Sequence, residues 1–120
     1  MKWADVSLRE FQDALASSAP TPGGGSAAGV ALGQAAALAV MVSDLTLGNE
    51  KFQEGWAISE QVKAIAIPML EEGLNLATED SEAFDAVVAS FKLPKDTDQL
   101  KSERRDAIRS ATLGAAEVPF

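Results

Sequence analysis

The 120-residue chain is long enough for one domain around one core, and its net charge of −8, with no basic tail or segment, sets it against a phosphate backbone. It contains no Cys and no His, which excludes disulfides, thiolate nucleophiles, imidazole bases and zinc sites of the His/Cys type. Any acid–base chemistry therefore falls to Asp, Glu, Lys, Arg or a hydroxyl.

Hydrophobic residues make up 47% of the chain, but much of that is alanine, with two Trp, five Phe and no Tyr. Alanine favours helix and buries little area per residue, so the core gains from neighbours and an oligomer is expected. No EF-hand spacing is present, and no metal is expected. From Ala14 to Ser43 no residue is charged. Pro20, Pro22 and the run Gly23–Gly25 break that stretch early, and Ala and Gly give little drive into lipid, so a cytoplasmic chain is expected rather than a membrane span. A membrane-associated helical protein is the rival on this point, and it predicts partition into detergent or lipid.

In chain order, Ser7 can cap a first helix, with Glu10 three residues on and Val6 and Phe11 as a staple pair; the helix should reach about Ala16. Ser17 to Gly25 reads as a loop. A second helix from about Ser26 to Leu47 carries Gly25, Gly29, Gly33 and Ala37 four apart, a nearly flat face that another backbone can approach, which makes this helix central. Gly48-Asn49 is a turn. A third, long helix starts near Glu50, with Ile58, Val62, Ile65, Met69 and Leu76 as its apolar stripe and a kink expected at Pro68. Phe84, Val87, Val88 and Phe91 make a further apolar face. Leu93-Pro-Lys95 ends that segment. Asp96 or Thr97 caps a last helix from about Asp98 to Glu117, stopped by Pro119. No strand pattern and no internal repeat is evident. The expectation is a single all-α domain over 1–120, a helical bundle of about five helices around a central Ala/Gly-rich helix, dimeric.

Several features could carry chemistry. The loop Pro20-Thr-Pro-Gly-Gly-Gly-Ser26 opens into a helix, where bare backbone and free N–H groups favour an anion or a carbonyl oxygen. On spacing alone a tight interhelical turn is the simpler reading, and no Walker motif is present. Asp80 lies one turn before Phe84. If the helix is continuous there, its carboxylate is desolvated on an apolar face and suited to proton transfer; if it is not, Asp80 merely caps a helix starting at Ser81. The acidic run Glu71, Glu72, Glu79, Asp80, Glu82 and Asp85 reads as a solvated face. Lys51, Lys92 and Lys95 are isolated bases beside loops. Lys101, Arg105 and Arg109 lie on the last helix with Glu103 and Asp106 as local partners. No Arg stands between Arg9 and Arg104, so a bidentate carboxylate clamp is excluded there.

Four ordered segments carry a resemblance. They are Phe11-Gln-Asp-Ala-Leu-Ala-Ser-Ser-Ala-Pro-Thr-Pro-Gly-Gly-Gly-Ser26, Met41-Val-Ser-Asp-Leu-Thr-Leu-Gly-Asn-Glu-Lys-Phe52, Asp80-Ser-Glu-Ala-Phe-Asp-Ala-Val-Val88 with Leu93-Pro-Lys95, and Ala115-Ala-Glu-Val-Pro119. In order and spacing the set resembles the cyclodeaminase domain of formiminotransferase-cyclodeaminase and the stand-alone methenyltetrahydrofolate cyclohydrolases. The resemblance implies a dimerising helical domain that binds a tetrahydrofolate derivative near the subunit contact. It implies either loss of ammonia from 5-formimino-tetrahydrofolate with ring closure, or interchange of 5,10-methenyl- and 10-formyl-tetrahydrofolate. Both reactions shuttle protons at nitrogen or water and call for no cofactor beyond the folate substrate.

By position, the resemblance makes Asp80 the acid–base group. It makes Pro22, Gly23, Gly24, Gly25 and Ser26 the lining of the folate site, and Lys51 a basic contact. The family domain continues for several helices past the Val-Pro step, so the resemblance also implies a shortened chain. Asp44 and Glu50 add charges that are unusual in the family. The rival is a catalytically inactive shortened homologue serving as a folate-binding or helical assembly module.

Overall fold

Ser7 starts the first helix, α1 (Leu8–Leu15), as its sequence predicts: its hydroxyl accepts from the Glu10 N–H at 3.0 Å. The computed structural model describes residues 1–118, so Pro119, the expected stop, lies outside the described residues. A 3₁₀ turn, Trp3–Asp5, precedes α1. The Ala/Gly-rich segment forms α2 (Gly24–Leu47), and a 3₁₀ turn, Glu50–Gly55, leads into α3 (Trp56–Phe91). The last helix is α4 (Asp98–Glu117), capped by Thr97, whose hydroxyl accepts from the Leu100 N–H at 3.1 Å.

The described residues are all-α, with four α-helices. The count is lower than the expected five because the segments on either side of Asp80 join. Nothing between Leu76 and Phe84 breaks the backbone, and α3 also runs through Pro68.

Helices α2 and α3 are antiparallel partners, as the pairing of Gly29 with Gly73 and Ala77, of Asp44 with Lys63, and of Thr46 with Trp56 shows. The turn between them is pinned by the Trp56 indole, which donates to the carbonyls of Thr46 at 2.9 Å and Asn49 at 3.3 Å. Thr46 lies in the last turn of α2 and Asn49 just beyond it. Helix α4 folds back along α3: the Arg104 guanidinium donates to the Phe91 carbonyl at 3.3 Å and stacks 5.5 Å from the Phe91 ring centre, while Val118 reaches the level of Leu76 and Asp80.

The helices meet through small residues. A Cβ on Gly73 would lie 2.5 Å from the Gly29 carbonyl oxygen and 2.7 Å from the Gly33 nitrogen, so the two backbones touch. Along α3 the buried positions are Ser59, Ala66, Gly73, Ala77, Ser81 and Ser90. This differs from the expected stripe. Ile58 and Ile65 are exposed, and Met69 and Leu76 only half-buried. When two backbones approach this closely only small side chains fit between them, and the large ones are displaced to the flanks.

The expectation of a central α2 is met on one side only. Its outer face leaves Leu38, Met41, Val42 and Leu45 exposed. The molecule measures 73 × 28 × 17 Å, with a radius of gyration of 20.0 Å, against about 14 Å for a compact chain of this length. Among the described residues α2 is also the helix long and apolar enough, by length and composition, to cross a membrane.

Candidate active site

The loop from Ser17 to Gly23 returns the chain from α1 to the start of α2, and α3 supplies the surface it lies on. Thr21 donates its hydroxyl hydrogen bond to Asp85 Oδ1 at 2.7 Å. The Thr21–Pro22 peptide is cis, and Pro22 is buried. One turn earlier along α3, Ser26 donates to the Ala77 carbonyl at 2.6 Å and stands 2.7 Å from Ser81 Oγ. The loop and the first turn of α2 are thus tied to α3 at positions 77, 81 and 85, about one helical turn apart.

Asp80 sits beside that row. Because α3 is continuous, Asp80 is an interior helix residue and not the cap of a new helix. Its half-buried carboxylate lies directly against the Gly25 backbone, where a Cβ would come within 2.6 Å of Oδ1. Glycine at 25 leaves the space that the carboxylate occupies. With Ala28, Gly29, Leu32, Leu76 and Val118, these two residues line an open cavity of about 210 Å³.

Gly23 is the N-cap of α2 and has no side chain to cap with. The first intrahelical bond of this turn is donated by Ala27 to the Gly23 carbonyl at 3.0 Å. The N–H groups of Gly24 and Gly25, ahead of it, have no partner within the helix, and both residues are exposed. An acid with hydrogen-bond donors beside it in a mostly apolar hollow can move a proton while the donors hold an oxygen or an anion.

Pro22, Gly23, Gly24, Gly25, Ser26 and Asp80 all come together at this end of the α2–α3 pair. Ser26, however, is fully buried, and its hydroxyl is committed within the protein. Lys51 is not brought to the site within one protomer. It is exposed in the 3₁₀ turn at the opposite end of α2, a helix about 36 Å long at 1.5 Å per residue. Asp44, unusual for a central helix, forms an ion pair with Lys63 at 2.6 Å. The hydrogen bond and negative charge of Asp44 hold the Lys63 ammonium above the ordinary lysine range.

Sequence reasoning missed the α3 partners, Gly73 and Ser81, and missed Trp3, whose indole donates to Ser81 Oγ at 2.9 Å. A signal for the first two was present. A glycine inside a helix costs about 1 kcal/mol relative to alanine, so an internal Gly73 asks for a packing reason, and Ala77 and Ser81 continue its four-residue spacing.

Residues 7–120 match the family model of formiminotransferase-cyclodeaminase. The chain is 42% identical over 113 residues to methenyltetrahydrofolate cyclohydrolase of Methylorubrum extorquens, covering 94% of this chain and 54% of that protein. It is 30% identical over 119 residues to formimidoyltransferase-cyclodeaminase of Rattus norvegicus and 32% identical over 113 residues to that of Sus scrofa. It covers 21% of each of those two proteins. The chain thus spans about half the length of the cyclohydrolase and about a fifth of the two-activity proteins.

Proposed function

The chain belongs to the formiminotransferase-cyclodeaminase family, and from that premise we propose that it acts on a one-carbon derivative of tetrahydrofolate, with Asp80 as the acid–base group. The observation that carries the proposal is the Asp80 carboxylate seated against Gly25 at the open start of α2. In the hydrolytic reaction a water oxygen bonds to the methenyl carbon between N5 and N10, and Asp80 takes the proton the water releases. The carbon–N5 bond then breaks as the remaining hydroxyl proton is released to solvent and the carbonyl forms, and Asp80 returns its proton to N5, leaving the formyl group on N10. In the deaminating reaction N10 attacks the formimino carbon and ammonia leaves after protonation. Each route passes through a tetrahedral carbon and needs one group that lends and reclaims a proton. The free N–H groups of Gly24 and Gly25 suit an oxygen or carboxylate of the substrate. The greater identity to the cyclohydrolase favours the hydrolytic route.

Lys51 serves the same ligand only if a second copy brings it to the glycine loop. The apolar faces left open on α2 and α3 support a homodimer or higher homo-oligomer. The setting proposed is cytoplasmic, with neither nucleic acid nor membrane as partner. The −8 charge supports the first exclusion, and the glycine face that α2 turns to α3 supports the second.

The test is Asp80→Asn in an absorbance assay of 5,10-methenyl-tetrahydrofolate hydrolysis. Turnover should fall by about 10²–10⁴-fold, the usual worth of a positioned acid–base group, with the helical circular dichroism unchanged. Turnover near the starting rate would eliminate the role. Calorimetric binding of 5-formyl-tetrahydrofolate without any turnover in the starting protein would instead identify a folate-binding module.

A further inference from the structure

We infer that Trp3 is a positioning residue for Asp80, acting through a one-way hydrogen-bond chain across the α2–α3 contact. The inference rests on the acid–base reading of Asp80. An indole N–H can only donate, so the Trp3 side chain gives its hydrogen to Ser81 Oγ at 2.9 Å. At the other end Ser26 gives its hydroxyl hydrogen to the Ala77 carbonyl at 2.6 Å. The two serine oxygens are 2.7 Å apart, and the only proton left for that contact is the one on Ser81. The direction is therefore fixed from Trp3 to Ser81 to Ser26 to Ala77. Ser26 and Ser81 are 0% and 5% exposed, so water does not substitute for either bond.

The placement of this chain gives it its consequence. The backbone N–H of Trp3 also donates to Thr78 Oγ1 at 3.0 Å. Thr78 and Ser81 bracket Asp80 on α3, and Ser26 directly follows Gly25 on α2. The N-terminal turn thus grips α3 on both sides of the acid and sets how α3 is rotated against the glycine loop. A small rotation would leave the helices packed through Gly29 and Gly73 but swing the carboxylate off Gly25. Trp3 precedes the residues that match the family model, and nothing in its local sequence marks it. Its ring meets Phe11 edge-on at 5.5 Å, which keeps the turn against α1.

Trp3→Phe retains that ring contact and removes only the donor. In the full chain, kcat for methenyl-tetrahydrofolate hydrolysis should fall roughly 10- to 100-fold, the scale of a misplaced catalytic group, while KM changes less than about 2-fold. Ser81→Ala should do the same. Combining the two should cost less than about 2-fold more than Ser81→Ala alone, because both break one chain. Thr97→Ala, which removes a remote helix cap, should lower the melting temperature without lowering kcat. A Trp3→Phe protein with unchanged kcat, or a double variant whose losses multiply, overturns the positioning role while Asp80→Asn remains inactive. Asp80→Asn as active as the starting protein overturns the reading beneath it, and no turnover in the starting protein overturns both.

Discussion

Replacing Gly73 by alanine tests whether α2 and α3 touch through their backbones. The added Cβ would sit 2.5 Å from the Gly29 oxygen, 2.7 Å from the Gly33 nitrogen and 3.1 Å from the Gly33 Cα. Ordinary contact needs about 3.5 Å or more, so the helices must part by roughly 1 Å, enough to forfeit about a quarter to a half of each attraction across the seam. Overpacking of this kind costs about 1–3 kcal/mol. The upper end applies because backbone atoms cannot rotate aside. Alanine returns about 1 kcal/mol of helix propensity, leaving a net loss of about 2 kcal/mol. In urea unfolding followed by circular dichroism, at one fixed protein concentration, the midpoint should drop with an unchanged slope, and the melting temperature should fall by roughly 10 °C. Gly114→Ala, with no heavy atom within 4 Å of the new Cβ, should be neutral or more stable by up to about 1 kcal/mol. A Gly73→Ala protein as stable as the starting chain would refute the close approach of the two helices.

Other substitutions separate stability from chemistry. Gly25→Ala meets the end of the Asp80 side chain rather than backbone, so the carboxylate should swing away. Turnover should then fall about 10²-fold, with a stability change under about 1 kcal/mol by calorimetry. Ser26→Ala removes the donor to the Ala77 carbonyl and the acceptor for Ser81 inside a closed contact, and should cost about 1–3 kcal/mol in urea. The Lys63–Asp44 pair predicts a pH effect of known sign. The folded-state value of Lys63 is raised, first by the hydrogen bond its ammonium donates to Asp44 and then by the charge of that carboxylate. Its contribution is therefore complete below the ordinary lysine value of 10.5 and lost as pH climbs through the higher folded value. The urea midpoints of the starting chain and Asp44→Asn should converge over that alkaline range, and a constant gap would deny the linkage.

Sequence alone determined whatever is settled within one helical turn. Ser7 and Thr97 cap because their hydroxyls reach the N–H groups of Glu10 and Leu100, three residues on, and nothing distant is needed. The C-terminal end of α2, the start of α4 and the absence of strands among the described residues follow from the same local chemistry. The family could be read from four ordered segments.

Tertiary structure decided which face of α3 is buried. The Ile58–Leu76 stripe has the stronger periodicity, but the seam goes to the small residues because Gly29 and Gly33 draw Gly73 into backbone contact. It also decided that Asp80 faces Gly25 from within an unbroken helix, that Lys51 stands a helix length away, and that Trp3 reaches Ser81 across 78 positions of chain. Each of these depends on two segments meeting at one rotation. That rotation comes from the contact energy of the pair and is written in neither segment alone.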